Sequence, residues 1–253
     1  MERGDSMSIY SEKYFARQQE ISLRSAREVV PQIVDLIKPA SVIDIGCGVG
    51  TWLRVFGECG VEDIYGVDGD YVSRDQLQFP EERFVAHDLT TAFRMDRRFD
   101  LVVSLEVAEH LPEQCAESFV ATLAALGPVI LFSAAVPFQG GTHHINEQWQ
   151  DYWAKLFADR GYRVADWLRR RVWQNENVAW YYAQNALLYV EETHLQGHPA
   201  LKEAAENTVL SQLAVVHPKC LAHYGVRQWL GLFPTIAGQA LRRRTGRLRK
   251  ADS

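Results

Sequence analysis

The sequence predicts an α/β fold built on a seven-stranded, mostly parallel sheet with an antiparallel terminal hairpin and helices on both faces. Three observations carry this expectation. Five apolar runs of strand length alternate with helical patterns along residues 41–133, and parallel neighbours need such crossover connections. The runs are rich in β-branched residues and apolar at successive positions, as strands covered on both faces are. Two later strand candidates, 162–168 and 183–190, are joined by 169–182 with no crossover helix expected, which favours an antiparallel pair.

Upstream of the first strand, Ser25 and Glu28 fit a capping box ahead of Val29, Val30, Ile33, Val34, Leu36 and Ile37, and Pro31 is expected to kink or restart that helix. The strands follow at 41–46, 63–68, 83–88, 99–105 and 128–133. Between the first two, residues 51–59 carry Trp52, Leu53 and Phe56 at helical spacing and stop at Gly60. Residues 112–126 place Cys115, Ala116, Phe119, Val120 and Leu123 on one face. Residues 146–160 form a further helical pattern, with Asn146 as its cap, Glu147 in its first turn and Trp149, Tyr152, Trp153, Leu156 and Phe157 as its stripe. Helical stretches around 201–213 and 227–241 close the chain. The expected division is an N-terminal helical segment at 1–40, a ligand-binding α/β domain at 41–192 and a C-terminal helical extension at 193–253.

At 253 residues, with 47% hydrophobic and 23% charged residues, the chain has the composition of a globular protein able to bury its own core. No apolar stretch reaches the ~18–20 residues of a membrane span, and the N-terminus lacks the apolar core of a secretory signal. A cytoplasmic location is expected, with Cys47, Cys59, Cys115 and Cys220 reduced, since no C-x-x-C pair is present. The net charge of −5 hides a basic block, Arg242, Arg243, Arg244, Arg247, Arg249 and Lys250, behind an otherwise acidic chain. An acidic body argues against nucleic acid as a partner. The basic tail follows an apolar helical face that begins at Trp229. It either makes peripheral contact with an anionic membrane or packs on its own domain with the arginines solvated.

The first strand runs into Asp44-Ile45-Gly46-Cys47-Gly48-Val49-Gly50 and opens a helix. Glycines at such a turn let a ligand approach the main chain near a helix N-terminus. The spacing is G-x-G-x-G, one residue short of the dinucleotide fingerprint, and no Tyr-x-x-x-Lys pair is present, so an NAD-linked oxidoreductase is disfavoured. The segment 42–50 resembles motif I of the class I S-adenosylmethionine-dependent methyltransferases, and three later segments agree. The resemblance implies a Rossmann-like fold with S-adenosylmethionine as cofactor. It implies that Asp44, Gly46, Gly48 and Gly50 form the binding turn, and that Asp68, followed by Gly69, holds the ribose hydroxyls. Asp88 and Leu89 would meet the adenine, and the Ser104–Leu105 backbone would approach the methionine end.

Residues 131–149, reading LFSAAVPFQGGTHHINEQW, resemble a subgroup of that superfamily carrying FSAAxPxQGG and HxNEQW. Membership implies a small-molecule or glycosyl acceptor. If the nucleophile is a hydroxyl, its proton needs a base, and a histidine at the C-terminal ends of the strands suits that role. His144 is the first choice and His110 the second, with Glu147 as a potential orienter. No metal site is assigned, because Glu109, His110, His143 and His144 show no tight ligand spacing. Residues 171–185 mix aromatics with amides, which suits either a polar organic acceptor or ordinary packing. Two functions follow: an O-methyltransferase, or a non-catalytic S-adenosylmethionine-binding regulator or scaffold. The oligomeric state is left open.

Overall fold

The computed structural model describes residues 5–223. The chain divides into two compact units, one ending at His217 and one beginning at Pro218. The helical pattern at 227–241 and the basic tail lie outside the described residues.

The first unit holds seven strands: β1 Ser41–Ile45, β2 Asp63–Asp68, β3 Phe84–Ala86, β4 Leu101–Leu105, β5 Val129–Ser133, β6 Tyr162–Ala165 and β7 Leu187–Glu191. Their order in the sheet is β3-β2-β1-β4-β5-β7-β6. The first five are parallel, while β7 runs antiparallel to both β5 and β6. The expected architecture is therefore present, with the hairpin inverted in space so that its second strand touches the parallel body. The helices of this unit are α1 Asp5–Ile37, α2 Thr51–Glu58, α3 Ala116–Leu126, α4 Gln150–Ala158, α5 Arg169–Val172, α6 Trp180–Asn185 and α7 Pro199–Glu206. The second unit contributes α8, Pro218–His223.

Strand side chains alternate between faces, and both faces are buried here. Val42, Leu101, Val103, Val129, Leu131, Leu188 and Val190 share one core with α1, α2 and α6. Ile43, Val102, Ile130, Phe132, Leu187 and Tyr189 share the other with α3 and α4. That is why the strands carry apolar residues at successive positions rather than alternating with polar ones. Among the described residues no helix is long and apolar enough to cross a membrane, and all four cysteines are free thiols.

Five local expectations are corrected. Helix α1 runs on through Pro31 without a restart, and Ser25 is no cap: its hydroxyl donates to the Ile21 carbonyl at 2.8 Å and accepts the Ala179 N–H at 3.0 Å. The α4 helix starts at Gln150, because the N–H groups before it are used elsewhere. Those of Ile145 and Asn146 reach the Glu109 carbonyl and that of Gln148 reaches Ala135. The connection at 169–182 is not an open loop but carries α5 and the start of α6. The last strand begins at Leu187 rather than at residue 183, since Gln184 and Asn185 bury their amides in a polar network from the end of α6.

Candidate active site

The sheet order reverses direction between β1 and β4, and ligands in open α/β sheets bind at the carboxyl ends of strands flanking such a switch point. The glycine turn after β1 and the Leu105–Glu106 exit from β4 lie here. Gly48 adopts φ 53, in the left-handed region that glycine enters without steric cost. A Cβ at this position would meet no atom within 4 Å, so its missing side chain leaves open space rather than relieving a packing contact. Gly50 is different: it precedes α2 at φ 81 and lies against the Phe79 ring.

Asp68, at the end of β2, is buried and ties the turn together. Its Oδ2 accepts the Gly48 N–H at 2.7 Å, and its Oδ1 accepts the Gly69 N–H at 2.7 Å and the Tyr71 hydroxyl at 2.5 Å. Tyr71 was not anticipated from the sequence; only its position three residues beyond the acid hints at the contact. Asp44 is 3% exposed, and among the described residues no hydrogen bond to its carboxylate is made. Burial, then the neighbouring Asp68 charge, pushes its carboxyl well above the usual carboxylate range. Asp88 is exposed beyond β3. Its Oδ1 accepts the Thr90 N–H at 3.0 Å and the Thr90 hydroxyl at 2.8 Å, which hold its carboxyl below the usual range.

Two clefts meet at Gly46 and Tyr71. One, of about 690 Å³, is lined by Asp44, Gly48 and Leu105 together with Gln18 and Ser22 of α1 and Tyr182 of α6. The other, of about 900 Å³, is lined by Asp68, Gly69, Asp88, Leu89, Glu106 and His110, with Thr142 and His143 on its rim. Of the residues expected from the resemblance to meet the cofactor, all but Gly50 and Ser104 line one or both clefts. The contribution of α1 has no signal in the sequence, because periodicity explains its apolar face and leaves Gln18 and Ser22 unremarked, whereas Tyr182 falls in the aromatic and amide segment 171–185.

Behind β4, Glu106 adopts φ 56 and is held by amides. Gln139 Nε2 donates to its Oε2 at 2.9 Å and Asn185 Nδ2 to its Oε1 at 3.1 Å. Burial pushes its carboxyl up against those hydrogen bonds. The amides of the 171–185 segment thus serve structure: Asn175 and Asn177 bond Glu28, and Asn185 bonds Glu106 and Gln139.

The loop after β5 is organised by Glu147. Its carboxylate accepts the Phe138 and Gly140 N–H groups at 2.8 Å each and faces His144 Nδ1 at 3.0 Å. The ring of His144 stands edge-on to that of His110, with centroids 4.9 Å apart. His110 Nδ1 lies 3.3 Å from the His143 carbonyl. Burial, then His144, pushes the His110 imidazole below its ordinary value. His110 lines the larger cleft, while His144, its side chain 12% exposed, backs it. Glu109 completes the group: fully buried, its carboxyl is pushed well up by burial and by Glu106.

Comparison with known proteins bears on the family and the fold. A family model described as a methyltransferase domain matches residues 15–164. The chain is 29% identical over 128 residues to malonyl-[acyl-carrier protein] O-methyltransferase of Pseudescherichia vulneris, covering 49% of each. It is 32% identical over 95 residues to a probable chloroplastic tocopherol O-methyltransferase of Oryza sativa subsp. japonica, covering 34% of this chain and 26% of the other. The chain thus spans half or less of the curated relatives it matches. Among solved structures, Streptomyces venezuelae DesVI shares the fold with a TM-score of 0.52 at 17% identity, covering 74% of this chain and 98% of that one.

Proposed function

The chain belongs to the class I S-adenosylmethionine-dependent methyltransferases, and from that premise we propose that it transfers a methyl group to a hydroxyl oxygen of a small-molecule or glycosyl acceptor in the cytoplasm. The observation that carries this reading is the row of carboxylates at the carboxyl ends of β1 and β2 and just beyond β3, along two joined clefts beside the open face of Gly48. S-adenosylmethionine supplies a methyl group on a sulfonium, an electrophile that needs placement more than acid assistance.

The residues present fit such a ligand. Asp44 is a buried carboxylate without a donor, suited to an ammonium group. Asp68 offers the acceptors that a pair of vicinal hydroxyls requires, and the free Oδ2 of Asp88 and the backbone at Leu89 suit an amino-bearing ring. Leu105 and Gly46 border the space between the clefts, where a reacting group has to be held in line and within ~3–3.5 Å of its target. The acceptor occupies the larger cleft against His110. Its proton is taken by the His110–His144 pair, with the Glu147 carboxylate fixing the ring of His144 as carboxylates fix catalytic imidazoles. Both curated relatives are named O-methyltransferases, which supports oxygen as the methylated atom. The acidic body of the chain supports a small acceptor over nucleic acid.

Calorimetric titration with S-adenosylmethionine and NAD, followed by transfer of labelled methyl to a metabolite extract with the product identified by mass, tests the proposal. S-adenosylmethionine should bind and NAD should not, and a methylated small molecule should appear. Absence of S-adenosylmethionine binding would refute it, and binding without transfer would favour the non-catalytic role. His144→Ala should slow turnover ~10²–10⁴-fold with cofactor affinity intact; full turnover would remove His144 from the mechanism.

A further inference from the structure

The geometry points to a binding site for one divalent transition-metal ion formed by Glu109, His110 and His144 at the wall of the larger cleft. One donor atom from each of the three lies within 4.8 Å of the other two. Donors ~2.0–2.2 Å from a shared ion sit a little over 3 Å apart, so modest side-chain rotations close the set.

Three independent features mark this cluster as built for a ligand. Glu109 is 0% exposed, and neither carboxylate oxygen accepts a hydrogen bond of proper geometry. The backbone N–H groups of its own residue and of Ala135 lie near enough to favour the ionised carboxyl against burial, but neither meets hydrogen-bond geometry. A buried carboxylate is ordinarily paired, hydrogen-bonded or bound to a metal; beside this one stand the His110 and His144 imidazoles, while the nearby Glu106 and Glu147 carboxylates add negative charge that a cation would offset. Second, each imidazole already has an outer partner for one nitrogen. His144 Nδ1 meets the Glu147 carboxylate at 3.0 Å and His110 Nδ1 meets the His143 carbonyl at 3.3 Å. With Nδ1–H donating to these oxygens, Nε2 carries the lone pair in both rings. Carboxylate–histidine–metal and carbonyl–histidine–metal relays have this form. Third, a Cβ at Gly141 would collide with His144 Nε2, so glycine there keeps the nitrogen its space.

Two imidazoles and one carboxylate suit manganese, iron, cobalt or zinc rather than calcium. Such a set leaves coordination positions for an acceptor oxygen, and His110 places the group on the cleft wall. The function of the ion rests on the methyl-transfer reading, although the site itself does not. A bound cation would make His110 and His144 ligands. It would also lower the pKa of an acceptor hydroxyl, so that its proton leaves to solvent before the oxygen takes the methyl group.

The test uses metal-stripped full-length protein titrated with cobalt(II) alone, followed by visible absorption and calorimetry. One equivalent should bind with a saturable change in the cobalt bands. Glu109→Gln and His110→Ala should each abolish it, and Glu147→Gln should weaken it by ~10–100-fold through the outer carboxylate. Glu109→Gln replaces a buried carboxyl that has no hydrogen-bond partner with an amide of the same shape, so the melting temperature of the metal-free protein should stay near that of the wild type. His110→Ala alters an exposed side chain and keeps the test independent of the core. Binding that survives both substitutions, or that is lost instead in His198→Ala, would overturn the inference. In the latter case the ion sits at the stacked His194–His198 pair, whose ring centroids are 4.6 Å apart. Cobalt binding without S-adenosylmethionine binding would support the metal site and refute the methyl-transfer reading. S-adenosylmethionine binding without cobalt binding would refute the metal site alone and favour the imidazoles as proton acceptors.

Discussion

Removing the Tyr71 hydroxyl should tighten cofactor binding. The Asp68 carboxylate has about four lone-pair positions, and three are engaged by the Gly48 N–H, the Gly69 N–H and the Tyr71 hydroxyl. Two ribose hydroxyls need two positions, and only one is left. The two backbone donors are fixed by the turn, whereas Tyr71 is 85% exposed and attached by a rotatable side chain, so it is the donor that leaves. A hydrogen bond to a charged group is worth ~1.5–3 kcal/mol. The phenol regains water on release, which cuts the net cost of displacing it to about 0.5–1.5 kcal/mol. Tyr71→Phe should therefore lower the Kd for S-adenosylmethionine roughly 2–13-fold by isothermal titration, since 1.4 kcal/mol is about tenfold. An unchanged Kd would show that the hydroxyl does not compete for Asp68. A weaker one would make Tyr71 a ligand contact and refute the assignment of the ribose to that carboxylate.

Gly48→Val should leave a folded protein, because its Cβ meets no atom within 4 Å. A β-branched residue at φ 53 costs about 1–2 kcal/mol of stability. Its side chain would occupy the smaller cleft, so calorimetric binding should vanish while circular dichroism stays near wild type; retained binding would move the cofactor elsewhere. Asp44 gives a pH signature. Its folded-state pKa is raised by burial and by Asp68, so its contribution to stability is fully present below the unfolded value of ~3.9 and is lost as pH rises through the folded value. The ligand-free melting temperature should carry a component that falls with rising pH across that window. A cation opposite Asp44 should counter the loss, and Asp44→Asn should flatten it; an unchanged slope in Asp44→Asn would remove Asp44 as its source.

The parallel body of the sheet was legible in the sequence because its strands are covered on both faces, which concentrates apolar residues at successive positions in the runs 41–46, 63–68, 99–105 and 128–133, with acids such as Asp44 and Asp68 the exceptions. The glycine turn was legible because tight backbone geometry demands particular residues at particular spacing, and Asp44 and Asp68 stand at fixed distances from strand ends. What escaped local reading depends on partners remote in the chain. Asn146 and Glu147 have the composition of a helix start, yet Glu147 reaches back to Phe138 and Gly140 and thereby fixes His144. The amides at 184 and 185 look like loop residues and instead brace Glu106 and Gln139. Glu109, His110 and His144 lack the short spacing of a ligand motif, because the donors come from two loops at the ends of adjacent strands β4 and β5. Backbone propensity and periodicity are local and can be read along the chain. The pairing of buried polar groups is a condition on three-dimensional neighbours, and it was decided only when the sheet brought those loops together.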